Sequence, residues 1–215
     1  MRHRRADDRR RRRVSAFEWH VIYALPDGGL DHFAAFAPQF AGDATAMTSW
    51  WLGQDPTRKP RFDLIDAPSC GSEFGRLDIS LVHVPACVTD FDGITTAVRN
   101  AGFENPDKGY LIYFDGSPHV GDEFGLCGQG SVDNVTFAYS IVFLPTCGQE
   151  SSDGTREAVA MHEMTHGMGA VPTEAPHSCN SGHVCDSPAD LMTATLDQGD
   201  SLANLQLDVG RDDYY

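Results

Sequence analysis

The chain has 215 residues, 41% of them hydrophobic, which is enough for one domain with a substantial core and too apolar for a disordered polymer. Its formal charge of −15 is unevenly spread: residues 1–13 hold eight of the 16 Lys and Arg and two of the 31 Asp and Glu, leaving 8 basic against 29 acidic side chains, a net of −21, for the remainder. A body that acidic repels phosphate backbones, which argues against nucleic acid as a partner, and no apolar run of about 18 residues exists to span a membrane.

The first thirteen residues are Arg-rich with no apolar segment behind them, so they do not read as a signal peptide; residues 1–15 are expected to form a disordered tail. A β-branched and aromatic run from Glu18 to Leu25 predicts a strand, closed by the turn signal Pro26 to Gly29. Phe33, Phe36, Phe40, Ala44, Met47 and Trp51 recur at helical spacing, predicting a long amphipathic helix from Asp31 to about Leu52. A short strand over Arg61 to Asp66 and a better one over Leu77 to Val84 follow. A second helix is predicted from Asp92 to Ala101, ending at Gly102. Gly109 to Phe114 and Phe137 to Leu144 read as buried strands, and the glycine-rich stretch between them leaves room for an irregular edge strand within 116–136.

This order predicts an α/β (α+β) fold, a mixed twisted sheet covered by helices. A single domain is expected over 16–215, with an upper part from 16 to 169 and a small, irregular, loop-rich C-terminal lobe from 170 to 215 that holds one short helix near Ser201 to Leu205. A monomer is expected. Six cysteines without a C-x-x-C pair suggest three disulfides and an extracellular setting. Each neighbouring pair brackets a plausible loop, giving Cys70 with Cys87, Cys127 with Cys147 and Cys179 with Cys185.

The one stretch whose chemistry follows from spacing is His162-Glu-Met-Thr-His166. On a helix, positions i and i+4 share a face, so both imidazoles can converge on one metal ion. Glu163 is rotated by about 100° from His162, beside the ion, where its carboxylate can take a proton from water. Thr155 is a candidate N-cap, small and apolar neighbours predict a buried helix, and Gly167 and Gly169 supply its stop.

The motif His162-Glu-Met-Thr-His166-Gly-Met-Gly169 and the later Asp190-Leu-Met192-Thr resemble the metzincin clan of zinc endopeptidases, as does the order of strands and helices. Gly169-Ala-Val-Pro, Ala175-Pro-His177, Gly182-His-Val-Cys-Asp186 and Asp190-Leu-Met192 are similar to a group of secreted bacterial proteins classed as metallopeptidases. The resemblance implies a secreted, zinc-dependent endopeptidase acting on peptides or proteins, with Glu163 as general base, a tight turn at Gly169 and Met192 as the Met-turn residue. The clan's third metal ligand lies three residues after that glycine, where this chain has Pro172, and Ala194 stands where many members carry a tyrosine. A catalytic zinc needs three protein ligands and an open position. His177 is the first candidate to complete the set, with Asp186 as the alternative; His183 reads as a solvated loop residue. A different class of function, a secreted zinc-containing binding or effector domain without turnover, would require a closed four-ligand site.

Overall fold

The computed structural model describes residues 17–118, 126–132, 137–147, 154–180, 182–196 and 200–215. The tail expected over 1–15 lies outside them.

Five strands form one mixed sheet in the order β2-β1-β3-β5-β4. They are β1 (Glu18–Pro26), β2 (Ile79–Val84), β3 (Lys108–Phe114), β4 (Gly128–Gly130) and β5 (Ala138–Phe143). β1 pairs in parallel with β2 and β3, β3 pairs in parallel with β5, and only β4 runs antiparallel, along the edge beside β5. β1, β3 and β5 are buried along almost their whole length because helices cover both faces. Alternation of side chains sends Val21, Tyr23, Leu111, Tyr113 and Val142 into one core with helices α1 (Phe33–Gln54) and α4 (Thr155–Gly167). Ile22, Ala24, Ile112, Phe114 and Ile141 enter a second core with Ile94 and Val98 of α2 (Phe91–Asn100). A single turn, α3 (Leu144–Cys147), follows β5.

The predicted strands and helices are present with ends shifted by a few residues, except Arg61 to Asp66. That segment makes only isolated bridges, Trp19 with Phe62 and Leu64 with Leu77, because β1 has both flanks occupied by β2 and β3. It is held by a few backbone bonds, among them Trp19 N–H to Arg61 O (2.7 Å) and Asp63 N–H to Trp19 O (2.9 Å), and by side chains. The ring of His20 bonds Asp63 through Nδ1 (2.9 Å) and Ser80 through Nε2 (2.9 Å), and Lys108 also pairs with Asp63.

A buried ion pair joins α4 to α1. Arg156 donates from Nε to Asp43 Oδ2 (2.6 Å) and from a terminal nitrogen to Asp43 Oδ1 (2.7 Å), while the Tyr113 hydroxyl donates to the same carboxylate (3.0 Å). Removing one member would strand a buried charge, so the pair fixes the start of α4 against α1.

Cys179 and Cys185 form a disulfide, as expected, with Cα atoms 5.9 Å apart. The expected bridge between Cys70 and Cys87 is not formed: both thiols are free and exposed, Cys70 on the 3-10 turn Pro68–Glu73 and Cys87 in the turn after β2. Cys127 is disulfide-bonded, while the side chain of Cys147, its expected partner, lies outside the described residues. A disulfide is compatible with an extracellular protein. Among the described residues no helix is long and apolar enough to cross a membrane.

Candidate metal centre

α4 begins at Thr155, but Thr155 is not its cap. Gly154 takes the N-cap position with φ 86°, a left-handed conformation that favours glycine, and an added Cβ there would also come 2.6 Å from Ser201 Oγ, beside the 3-10 turn Leu202–Asn204. At the other end Gly169 turns the chain with φ 83°. Its N–H donates to His166 O (2.8 Å) and the N–H of Ala170 donates to Thr165 O (3.2 Å), the two bonds of a Schellman stop. The glycine turn expected from the motif is therefore present. It is followed by Val171 at φ 51°, a strained conformation for a β-branched residue.

Three histidines converge. Nε2 of His166 lies 3.1 Å from Nε2 of His162, and Nε2 of His183 lies 3.2 Å from each. Nδ1 of His162 donates to Leu191 O (2.6 Å) and Nδ1 of His183 to Asn180 O (2.7 Å). These bonds fix the tautomers, so in both rings Nε2 carries a lone pair. Two such lone pairs 3.2 Å apart repel each other unless a cation lies between them. Three nitrogens bound tetrahedrally at about 2.0–2.1 Å from zinc stand about 3.3 Å from one another, close to the observed triangle. The residues therefore fit a divalent metal ion.

Burial, followed by the neighbouring rings, pushes His166 down to about 2; burial, opposed by the Leu191 carbonyl and aided by His183, pushes His162 down to about 4. Both rings are neutral at physiological pH and free to ligate. His166 Nδ1 is buried with no hydrogen-bond partner, and Gly182 packs beside it, where a Cβ would come within 3.3 Å.

The histidine that stands beside His162 and His166 is His183, and His177 lies apart from that triangle. The disulfide closes a short loop in which Cys179 N–H bonds His183 O (2.8 Å) and Cys185 N–H bonds His177 O (3.2 Å), so the loop tip carrying His183 reaches the helix. His177 is held elsewhere by carboxylates. Its N–H donates to Asp213 Oδ1 (2.8 Å), and its Nδ1 lies 3.2 Å from Asp213 Oδ2, 3.8 Å from Asp186 and 3.9 Å from Asp212. Asp186, the alternative candidate, lies near His177 and is not part of the histidine triangle. Gly182-His183 at the tip of a cysteine-bracketed loop was the available signal, and the acidic Asp212-Asp213 pair was the signal that His177 has another partner.

Glu163 is buried, and desolvation raises it to about 8. Its carboxylate occupies space left by β4: a Cβ on Gly128 would meet Glu163 Oε1 at 2.7 Å, and one on Gly130 would meet Oε2 at 3.0 Å. Two glycines at strand spacing face one side, the sequence feature that marks this contact. Ser140 of β5 donates to Glu163 O (2.8 Å), tying the helix to the sheet at the same level. Met192 is fully buried in the turn after Leu191, whose carbonyl orients His162, and its O accepts from Val184 N–H (2.9 Å), next to His183. The turn containing Met192 therefore braces two of the three histidines.

Among the described residues this group comprises three histidines and no fourth donor. Comparison of the sequence with models of known protein families and with curated proteins returns no match.

Proposed function

We propose that the protein is a zinc-dependent hydrolase of peptide bonds, in which His162, His166 and His183 hold the ion and Glu163 carries the proton. The observation that supports this most is the convergence of three Nε2 atoms at 3.1–3.2 Å on one face of the active helix, with an acidic side chain next to it in sequence. Neutral imidazoles suit zinc, and a three-donor group leaves coordination open for water, as catalytic sites do. A zinc-stabilised binding domain would instead close the site with a fourth ligand. The resemblance to metzincins supports the same chemistry, with the third ligand moved from the position of Pro172 to His183.

When bound, zinc would supply Lewis acidity that lowers the pKa of water and polarises a carbonyl. Glu163 accepts the proton of the attacking water and returns it to the leaving amine. Its burial keeps it basic enough for the first transfer, and a neighbouring cation draws it back toward the ionised form that the transfer requires. β4 forms the sheet edge beside Glu163, and an extended peptide could pair with its outer side. The disulfides support a secreted setting.

Glu163→Gln tests the assignment. Hydrolysis of a denatured protein substrate should fall by about 10²–10⁴-fold, while metal analysis still finds one zinc per chain. Full activity with zinc bound would contradict the role given to Glu163.

A further inference from the structure

Beside the C-terminal turn of α4 lies a cavity of about 380 Å³ that the metal chemistry does not use. That volume falls within the range of small-molecule sites, and its walls are aromatic and apolar. Trp19, Trp51 and Leu207 are buried at the floor. Tyr215 stands edge-on to Trp51, with ring centroids 5.7 Å apart.

The mouth is basic. Arg58, Lys59 and Arg61 line it, three of the eight Lys and Arg found after residue 13 in a chain otherwise dominated by acid. The nearby carboxylates are engaged: Glu18 pairs with Arg61 (2.6 Å), and Asp55 accepts from Thr57 and from the Tyr215 hydroxyl (2.6 Å). The Arg58 guanidinium lies 6.0 Å over the Tyr215 ring. Neither Arg58 nor Lys59 forms an ion pair among the described residues, so two cations face solvent at the entrance to an aromatic pocket.

We propose that this cavity is a binding site for a small apolar monoanion, an aromatic or medium-chain carboxylate, whose body lies against Trp19 and Trp51 and whose carboxylate meets Arg58 and Lys59. Charge complementarity selects the anion: Arg58 and Lys59 meet it in a chain that has only eight Lys and Arg after residue 13, and the apolar floor disfavours a strongly hydrated anion such as phosphate. The proposal does not rest on the metal centre.

The experiment is titration of the full chain with 4-phenylbutyrate, and with the uncharged 4-phenylbutanol, followed by tryptophan fluorescence. Saturable quenching by the acid is expected, at least about tenfold tighter than by the alcohol. R58E/K59E should weaken it by about tenfold or more, and His183→Ala should leave it unchanged. Equal binding of acid and alcohol, or undiminished binding by R58E/K59E, would overturn the proposal. Loss of binding in His183→Ala would also overturn it, by placing the carboxylate on the metal. Should the double variant fail to match the wild-type circular dichroism, Lys59→Gln supplies the same comparison.

Discussion

Glu163 owes its position to atoms that are missing from its neighbours. At Gly128 an added methyl group would stand 2.7 Å from Glu163 Cγ, Glu163 Oε1 and Val159 Cγ1, and the strand backbone is held by its ladder to β5 and cannot back away. Gly128→Ala should therefore destabilise the fold by about 1–3 kcal/mol through overpacking, read by chemical denaturation, and should lower hydrolysis more than it lowers zinc content. His177 behaves differently. A hydrogen bond to Asp213, with the charges of Asp213, Asp186 and Asp212, raises its pKa. A raised folded-state value contributes stability that is fully present below the ordinary histidine range and is lost as pH rises through the folded pKa. His177→Gln should accordingly lower the thermal midpoint at pH 5.5 and have little effect at pH 8.5. An equal drop at both values would mean that packing, not charge, makes the contact.

α4 is positioned by contacts along its whole length. Arg156 ties its first turn to Asp43 of α1, Ser140 holds its middle, and Gly169 ends it so that the chain can cross toward the Cys179–Cys185 loop. Asp43→Ala strands the Arg156 guanidinium in the core and should cost about 3–5 kcal/mol in urea unfolding. Most elements were legible because their causes are local: β1, β3 and β5 are runs of aromatic, aliphatic and β-branched residues that a doubly covered sheet requires, and α1 follows its own aromatic spacing. Arg61 to Asp66 was misread because its pairing depends on a strand flank already taken by β2, which no local pattern records. The start of α4 was assigned to a Thr155 cap because no local pattern records the left-handed turn at Gly154 or the approach of Ser201, 47 residues further along the chain.

At the scale of the whole molecule, the C-terminal segment decides which histidine joins His162 and His166 in the triangle. Asp190 accepts from Met192 N–H (2.7 Å), Val209 N–H (2.7 Å) and the Tyr214 hydroxyl (2.8 Å), and Asp208 accepts from Tyr214 N–H (2.8 Å). These bonds lock residues 208–215 beside the disulfide loop, where Asp213 engages His177 and leaves His183 to face α4. His162, Glu163 and His166 were readable because their geometry is set by one helix. The third member of the triangle was not, since three residues of types that bind zinc, His177, His183 and Asp186, lay within ten positions and only the folded chain separates them. The free Cys70 and Cys87 were misassigned for the same reason: bracketing a loop does not bring two thiols together. The direct test is zinc content of the purified wild type, His183→Ala and His177→Ala by atomic absorption, with circular dichroism to verify folding. One zinc per chain is predicted for the wild type and for His177→Ala, and less than about one tenth of that for His183→Ala; zinc retained by His183→Ala and lost from His177→Ala would contradict the account.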